Sequence, residues 1–261
     1  MTAQSLTLQE QLALLSNDGR SGQFRQHYIR LALAGGALAE LLRRRRVQID
    51  GSKVKVRQTD PIGDAAIDTA YKRFTVTGWP RSAAWWINNF YQSDAQALEI
   101  LTGRLVDRGI LSRDERRALW VIRWHTYPVL EPAHGQRLRR QIRDAIMKDD
   151  PVDAELATLI SILHNARALD TALDAVEIAD REHRIAAISA SYPIPYAVGK
   201  AIATAIHEKE EQARRHNDVI IIGPGPRPPR RRHPHPRPPR PWKPDFPGPP
   251  HEDDEPWTAT A

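Results

Sequence analysis

A chain of 261 residues, 41% hydrophobic and with seven tryptophans, is long and apolar enough to bury a sizeable core, which excludes a wholly disordered or fibrous protein. It contains no cysteine, so a disulfide framework and a thiolate metal site are both excluded, as in a reducing compartment. The formal charge of +6 and pI near 9.8 point to an anionic partner without choosing between lipid headgroup and nucleic acid.

Met1 to Ser5 lacks the basic start and apolar run of a secretory signal, and no later stretch reaches the roughly 20 apolar residues of a membrane span. A cytoplasmic protein is expected. Leu6 to Leu15 predicts a short amphipathic helix, with Thr7 as N-cap, Glu10 completing a capping box, and Leu8, Leu12 and Leu15 on one face. Asn17 to Gly22 is turn chemistry. Phe24 to Leu42 predicts the helix around which the fold is organised, apolar on every face and therefore covered all round. Gly35 and Gly36 each cost this helix about 1 kcal/mol relative to alanine, which predicts close approach of a neighbouring helix. After Arg43 to Arg46, Val47 to Ile49 and Lys53 to Val56 alternate around Asp50-Gly51-Ser52 as a β-hairpin.

Asp64 is placed to cap a helix carrying Ile67 and Tyr71, and Trp79, Trp85 and Trp86 read as core. Ala97 to Val106 is a further helix, ended by Gly109 at its C′ position, and Ala118 to Trp124 has the composition of a strand. Leu138, Ile142, Ala145 and Ile146 define a helix with an arginine-bearing outer face, Leu156 to Leu173 a second helix apolar nearly all round, and Arg184 to Ala205 a region interrupted by Pro193 and Pro195. Fourteen of the 21 prolines then fall between Pro224 and Pro256. A helical domain over residues 5–210 and a Pro/Arg-rich disordered tail over 223–261 are expected. That tail holds seven Lys/Arg and five Asp/Glu, or +2 of the +6, leaving +4 on the domain.

Asp60, Asp64 and Asp68 recur at four-residue spacing, but no histidine or nucleophile accompanies them and helix capping explains them better than acid/base work. His164, on an apolar helix, reads as a core histidine. With no phosphate loop, metal-ligand cluster or catalytic set in view, no enzyme activity, cofactor or metal is expected.

The order of motifs resembles the Golgi phosphoprotein 3 family, whose eukaryotic members are peripheral membrane proteins that bind phosphatidylinositol 4-phosphate. The likeness runs from Leu6-Thr7-Leu8 with Glu10 and Leu12 to Leu15, through Leu38 to Leu41 followed by arginine and a strand, to Gly63-Asp64 with Ile67-Asp68. It continues in Trp86-Ile87, Leu105-Val106-Asp107-Arg108-Gly109-Ile110-Leu111, Gln136-Arg137-Leu138, and Leu159-Ile160 through Leu163-His164-Asn165-Ala166. It implies a mainly α fold, a helical bundle around the apolar helix at about 24–42 with small β-hairpins, and a cytoplasmic, peripherally membrane-associated adaptor. Acidic phospholipid, a phosphoinositide by resemblance, protein partners and a homo-oligomer are the associates it implies.

At the positions where the eukaryotic proteins hold the headgroup with a tryptophan and three basic residues, this sequence has Arg25, Ala34, Ala95 and Leu98. The segment between Asn88 and Asp94 is shorter than their self-association hairpin, and the arginine-heavy, lysine-poor composition is that of bacterial members. The headgroup candidates that remain are Arg25 and Arg30 on the core helix and Arg43, Arg44, Arg45 and Arg46 at its end. An alternative is a winged-helix nucleic-acid-binding protein, with Ala97 to Leu111 and the Trp120 and Trp124 strand as helix, turn and wing. Its recognition helix would offer only Arg104 and Arg108 against Glu99 and Asp107, so nucleic acid is not the expected partner.

Overall fold

The computed structural model describes residues 6–19, 21–24, 29–77, 80–91, 95–118 and 122–221. Among these the fold is mainly α with small antiparallel sheets, as expected. The chain divides into two units, Met1–Asn217 and Asp218–Ala261. Trp79, Trp120 and the Pro/Arg-rich segment from 223 onward lie outside the described residues.

Helix α1 (Leu8–Ser16) begins as its sequence dictates. The Thr7 hydroxyl accepts from the Glu10 amide, and the Glu10 carboxylate accepts from the Thr7 amide in return. Strands β1 (Asn17–Asp18) and β2 (Gln23–Phe24) pair across a turn in which Gly22 has φ +65°. Phe24 therefore belongs to β2 and not to the core helix expected to begin there: α2 is described over Ile29–Arg43, and Phe24 packs near Tyr127, ring centroids 6.1 Å apart.

Every α2 residue from Leu31 to Ala39 is buried, and α1, α4 (Ala83–Asn89) and α7 (Ala154–Asn165) pack on it. Its two glycines serve different neighbours. A Cβ on Gly36 would lie 3.0 Å from Leu12 Cδ1 on α1, and one on Gly35 would lie 2.6 Å from Ile202 Cδ1 on α10 (Pro193–Ile221).

The hairpin of β3 (Val47–Asp50) and β4 (Lys53–Val56) forms in the expected register, with Gly51 at φ +59° in its turn, and β5 (Arg81–Ser82) adds a third strand beside β4. Helix α3 (Ala65–Thr77) sends Tyr71 into the core, where its ring meets Trp86 at 6.3 Å, and Trp86 in turn stacks on Phe90 at 6.2 Å. Trp85 is only half-buried, with the Arg81 guanidinium 5.2 Å above its ring. Helix α5 (Ala95–Asp107) ends at Gly109 as expected: φ is +70°, and the Gly109 and Ile110 amides donate to Val106 and Leu105 in a Schellman arrangement.

Three sequence expectations need correction. The single strand over 118–124 is a hairpin of β6 (Asp114–Ala118) and β7 (Ile122–Thr126), whose first strand is too charged to show apolar alternation. The helix expected over 156–173 stops at Asn165, because Arg167 takes a left-handed conformation, φ +55°, and Ala168 donates back to Leu163; a 3-10 turn, Leu169–Thr171, follows. The region from Arg184 resolves into α9 (Glu182–Ala190) and α10, with Pro193 at the first position of α10, where a missing amide costs nothing. Two more helices lie in this half: α6 (Pro132–Met147), which buries Ile142 and Ile146, and the short capped α8 (Ala175–Asp180).

Candidate anion-binding face

The C-terminal end of α2 carries Arg43 to Arg46, and the helix end determines what each can do. The Arg45 amide donates to Leu42 and the Arg46 amide to Leu41, a Schellman closure that puts Arg45 at the left-handed C′ position with φ +55°. Glycine takes that conformation without penalty, whereas a residue with a Cβ loses about 1–2 kcal/mol there.

The neighbours of Arg45 are committed. Arg43 grips Glu40 through Nε and Nη2 at 2.9 and 2.8 Å, and Arg44 Nε donates to the same carboxylate at 2.6 Å while its Nη1 donates to the Ile62 carbonyl. Burial works to raise the Glu40 pKa, yet the two arginines outweigh it and leave the carboxyl below its ordinary value. Arg46 donates to Gln58 and stands 3.5 Å from Asp60. Arg45 is exposed and has no carboxylate partner among the described residues.

A second such arginine escaped the sequence reading. Arg57 follows β4, is exposed, and donates through Nε and Nη2 to Gln48 Oε1, with no ion pair to a carboxylate among the described residues. Its signal was present in the period-2 series Lys53, Lys55, Arg57 on one face of the strand. Lys55 is taken by Asp50 at 2.5 Å; Arg57 adds its charge to the Asp50 carboxylate at longer range, and neither it nor Lys53 forms an ion pair among the described residues. Its amide donates to the Arg46 carbonyl at 2.8 Å, tying the strand end to the helix end. Arg45 and Arg57 both line a trough of about 550 Å³ whose floor is Leu42, Val47, Ile49, Ile194 and Ala197.

A larger cavity of about 760 Å³ lies beside it, and Arg43 and Arg44 reach its rim. That rim also holds Glu40, Asp64 and Glu155, three carboxylates to two guanidiniums, so it offers an anion no net attraction.

The remaining candidates do not join this face. Arg30 is exposed in the first turn of α2, and fourteen residues of helix place it about 20 Å from Arg44. Arg25 lies outside the described residues. One turn on from Arg30, Ala34 is buried at 1% exposure, and Leu98 packs half-buried against the core, so both positions are apolar packing. The described residues contain no cluster of three or more histidines or carboxylates able to hold a metal.

A family model described as Golgi phosphoprotein 3 (GPP34) matches residues 8–205. The chain belongs to that family. The match covers α1 through α9 and the first part of α10, so the matched region includes the arginine-bearing end of α2, the β3–β4 hairpin and the trough between them.

Of the three aspartates expected to cap, Asp64 and Asp68 hold backbone amides, whereas Asp60 is exposed and stands 3.5 Å from Arg46. Asp64 accepts from the Ala66 and Ile67 amides and pairs through both oxygens with Arg104, at 2.8 and 3.0 Å. Asp68 accepts from the Ile62 and Gly63 amides. On α5, the helix a winged-helix reading would lay in a DNA groove, Arg104 is held by Asp64, and Arg108, one residue past its end, is held by Glu10 at 3.0 Å. Both basic residues of the expected recognition segment therefore serve the fold. His164 is half-buried, 3.5 Å from Glu182.

Proposed function

We propose that this chain is a peripheral membrane adaptor that binds acidic phospholipid through the arginine-bearing end of α2 and offers its other surfaces to protein partners. Family membership supports the class, and no helix among the described residues is long and apolar enough to cross a membrane. The observation that carries the reading is that Arg45 and Arg57 border one apolar trough at the end of α2, with Arg43, Arg44 and Arg46 on the adjoining residues, since each cation near anionic lipid gains about 1 kcal/mol. Ala34 and Leu98 supply no charge where relatives hold the headgroup, so binding follows surface charge more than headgroup identity.

Vesicles matched for charge, with and without phosphatidylinositol 4-phosphate, are the test. Wild type should bind both about equally, should lose most binding as salt rises past roughly 0.1 M, where screening acts over about 10 Å, and should lose it when Arg43 to Arg46 become glutamine. A strong phosphoinositide preference at matched charge would reveal a stereospecific pocket and contradict the charge reading. No binding to any anionic vesicle would end the membrane reading.

A further inference from the structure

Of the five arginines around the end of α2, two form no ion pair with a carboxylate among the described residues, and those two border the same trough. We infer that this trough seats one anionic lipid, its phosphate between the Arg45 and Arg57 guanidiniums and the first carbons of its chains along the Leu42, Val47, Ile49 and Ile194 floor. The inference rests on the membrane reading and names the site and the ligand chemistry within it.

Arg45 is the first reason. It occupies a left-handed position that glycine would fill without strain, and its side chain stabilises nothing nearby: it has no hydrogen bond or ion pair among the described residues. A strained residue whose side chain does no structural work is the signature of a site rather than of a fold. Arg57 is the second. Gln48 accepts from its Nε and one Nη, which fixes the guanidinium plane and leaves its other N–H groups for a ligand oxygen. The backbone bond from Arg57 to Arg46 holds the two side chains on adjoining segments.

The floor is the third reason and selects the ligand. A free anion or a nucleic-acid backbone would gain nothing from four aliphatic side chains beneath its phosphate, whereas a lipid buries methylenes there. At the start of α10, Tyr192, which lines the larger cavity and donates its hydroxyl to the Val152 carbonyl, and Tyr196 are 37% and 55% exposed. Amphipathic rings in that setting suit the headgroup layer of a bilayer. The start of α10, which forms one wall, adds the partial positive charge of a helix N-terminus. Among the described residues lining the trough, Gln48 is the one polar side chain besides the two arginines, so the site recognises phosphate and chain rather than headgroup.

The experiment uses the full chain with soluble dihexanoylphosphatidic acid as probe and glycerol 3-phosphate as the same phosphate without chains, followed by calorimetry. Wild type should bind the lipid at least tenfold more tightly than glycerol 3-phosphate. Arg45→Gly should weaken lipid binding tenfold or more while its melting temperature stays level or rises, a combination that loss of structure cannot produce. Arg57→Gln should weaken binding similarly, and Arg140→Gln, an equal loss of charge on α6, should change it less than twofold. Equal affinity for the two probes would remove the apolar floor from the site and overturn the inference. So would Arg45→Gly and Arg57→Gln binding the lipid as wild type does, even if all three proteins still adhered to anionic vesicles and the broader membrane reading stood.

Discussion

Gly35→Leu should destabilise the protein by on the order of 3 kcal/mol in chemical denaturation, while Gly35→Ala should stay close to wild type. The two outcomes separate because a Cβ at 35 would sit 2.6 Å from Ile202 Cδ1 and 3.4 Å from Val198 Cγ1. The δ-methyl is the far end of a side chain and can turn away from one added carbon, and alanine recovers about 1 kcal/mol of helix propensity to offset the shift. Leucine puts four carbons into the same seam, where overpacking costs typically 1–3 kcal/mol and sometimes more. Gly36→Leu should act alike against Leu12 and Gln9 on the opposite side of α2. Shortening the obstructing residue in the double variant Gly35→Leu, Ile202→Ala should recover part of the loss, a coupling expected only for side chains in contact. A leucine at 35 with an unchanged midpoint would mean that α2 and α10 are not closely packed there, and the organising role of α2 would need revision.

What the sequence revealed and what it hid divide by range. The Thr7–Glu10 box, the hairpin around Gly51 and the Gly109 stop are local devices, written in residues three or four apart, and all three were legible. Strand β6, Asp-Glu-Arg-Arg-Ala, was not, because a charged edge pair carries no apolar period, and the end of α7 was hidden because an arginine fills a position where glycine would have announced it. The candidate site shows the same split. Glu40 stands three and four residues before Arg43 and Arg44, so their pairing was available from spacing alone and turns a presumed four-cation cluster into a mostly neutralised one. That Arg45 and Arg57 share a trough with the start of α10 depends on packing across some 150 residues of chain, and no local pattern announces it. Arg104 likewise reads as an ordinary helix cation until the fold brings it to Asp64.

That Asp64 pair sets the second large expectation. Asp64→Asn should cost about 2 kcal/mol at neutral pH, and the loss should fade in acid. The Asn side chain keeps the Oδ1 that accepts from the Ala66 and Ile67 amides and from Arg104 Nη2, so the substitution removes the bond from Arg104 Nη1 to Oδ2 and the negative charge facing the guanidinium. Asp64 and Arg104 are 14% and 28% exposed, which places the pair between a surface bridge, worth 0–1 kcal/mol, and a buried one, whose breaking costs 3–5 kcal/mol. Burial acts to raise the Asp64 pKa, but the Arg104 hydrogen bond and charge, with the Ile67 and Ala66 amides, outweigh it and hold the carboxyl below the ordinary aspartate value. A carboxyl whose folded-state pKa lies below its unfolded one contributes stability that is complete above the unfolded value, near 3.9, and is lost as pH falls through the folded value. The gap between wild type and Asp64→Asn should therefore be constant from about pH 8 to pH 5, shrink below about pH 4, and vanish once Asp64 is protonated in both states. Replacing Arg104 with methionine should remove most of the gap at neutral pH, since the carboxylate then has no guanidinium to lose. A gap that persisted undiminished to the lowest pH at which the protein stays folded would mean that the carboxylate of Asp64 is not what ties α3 to α5.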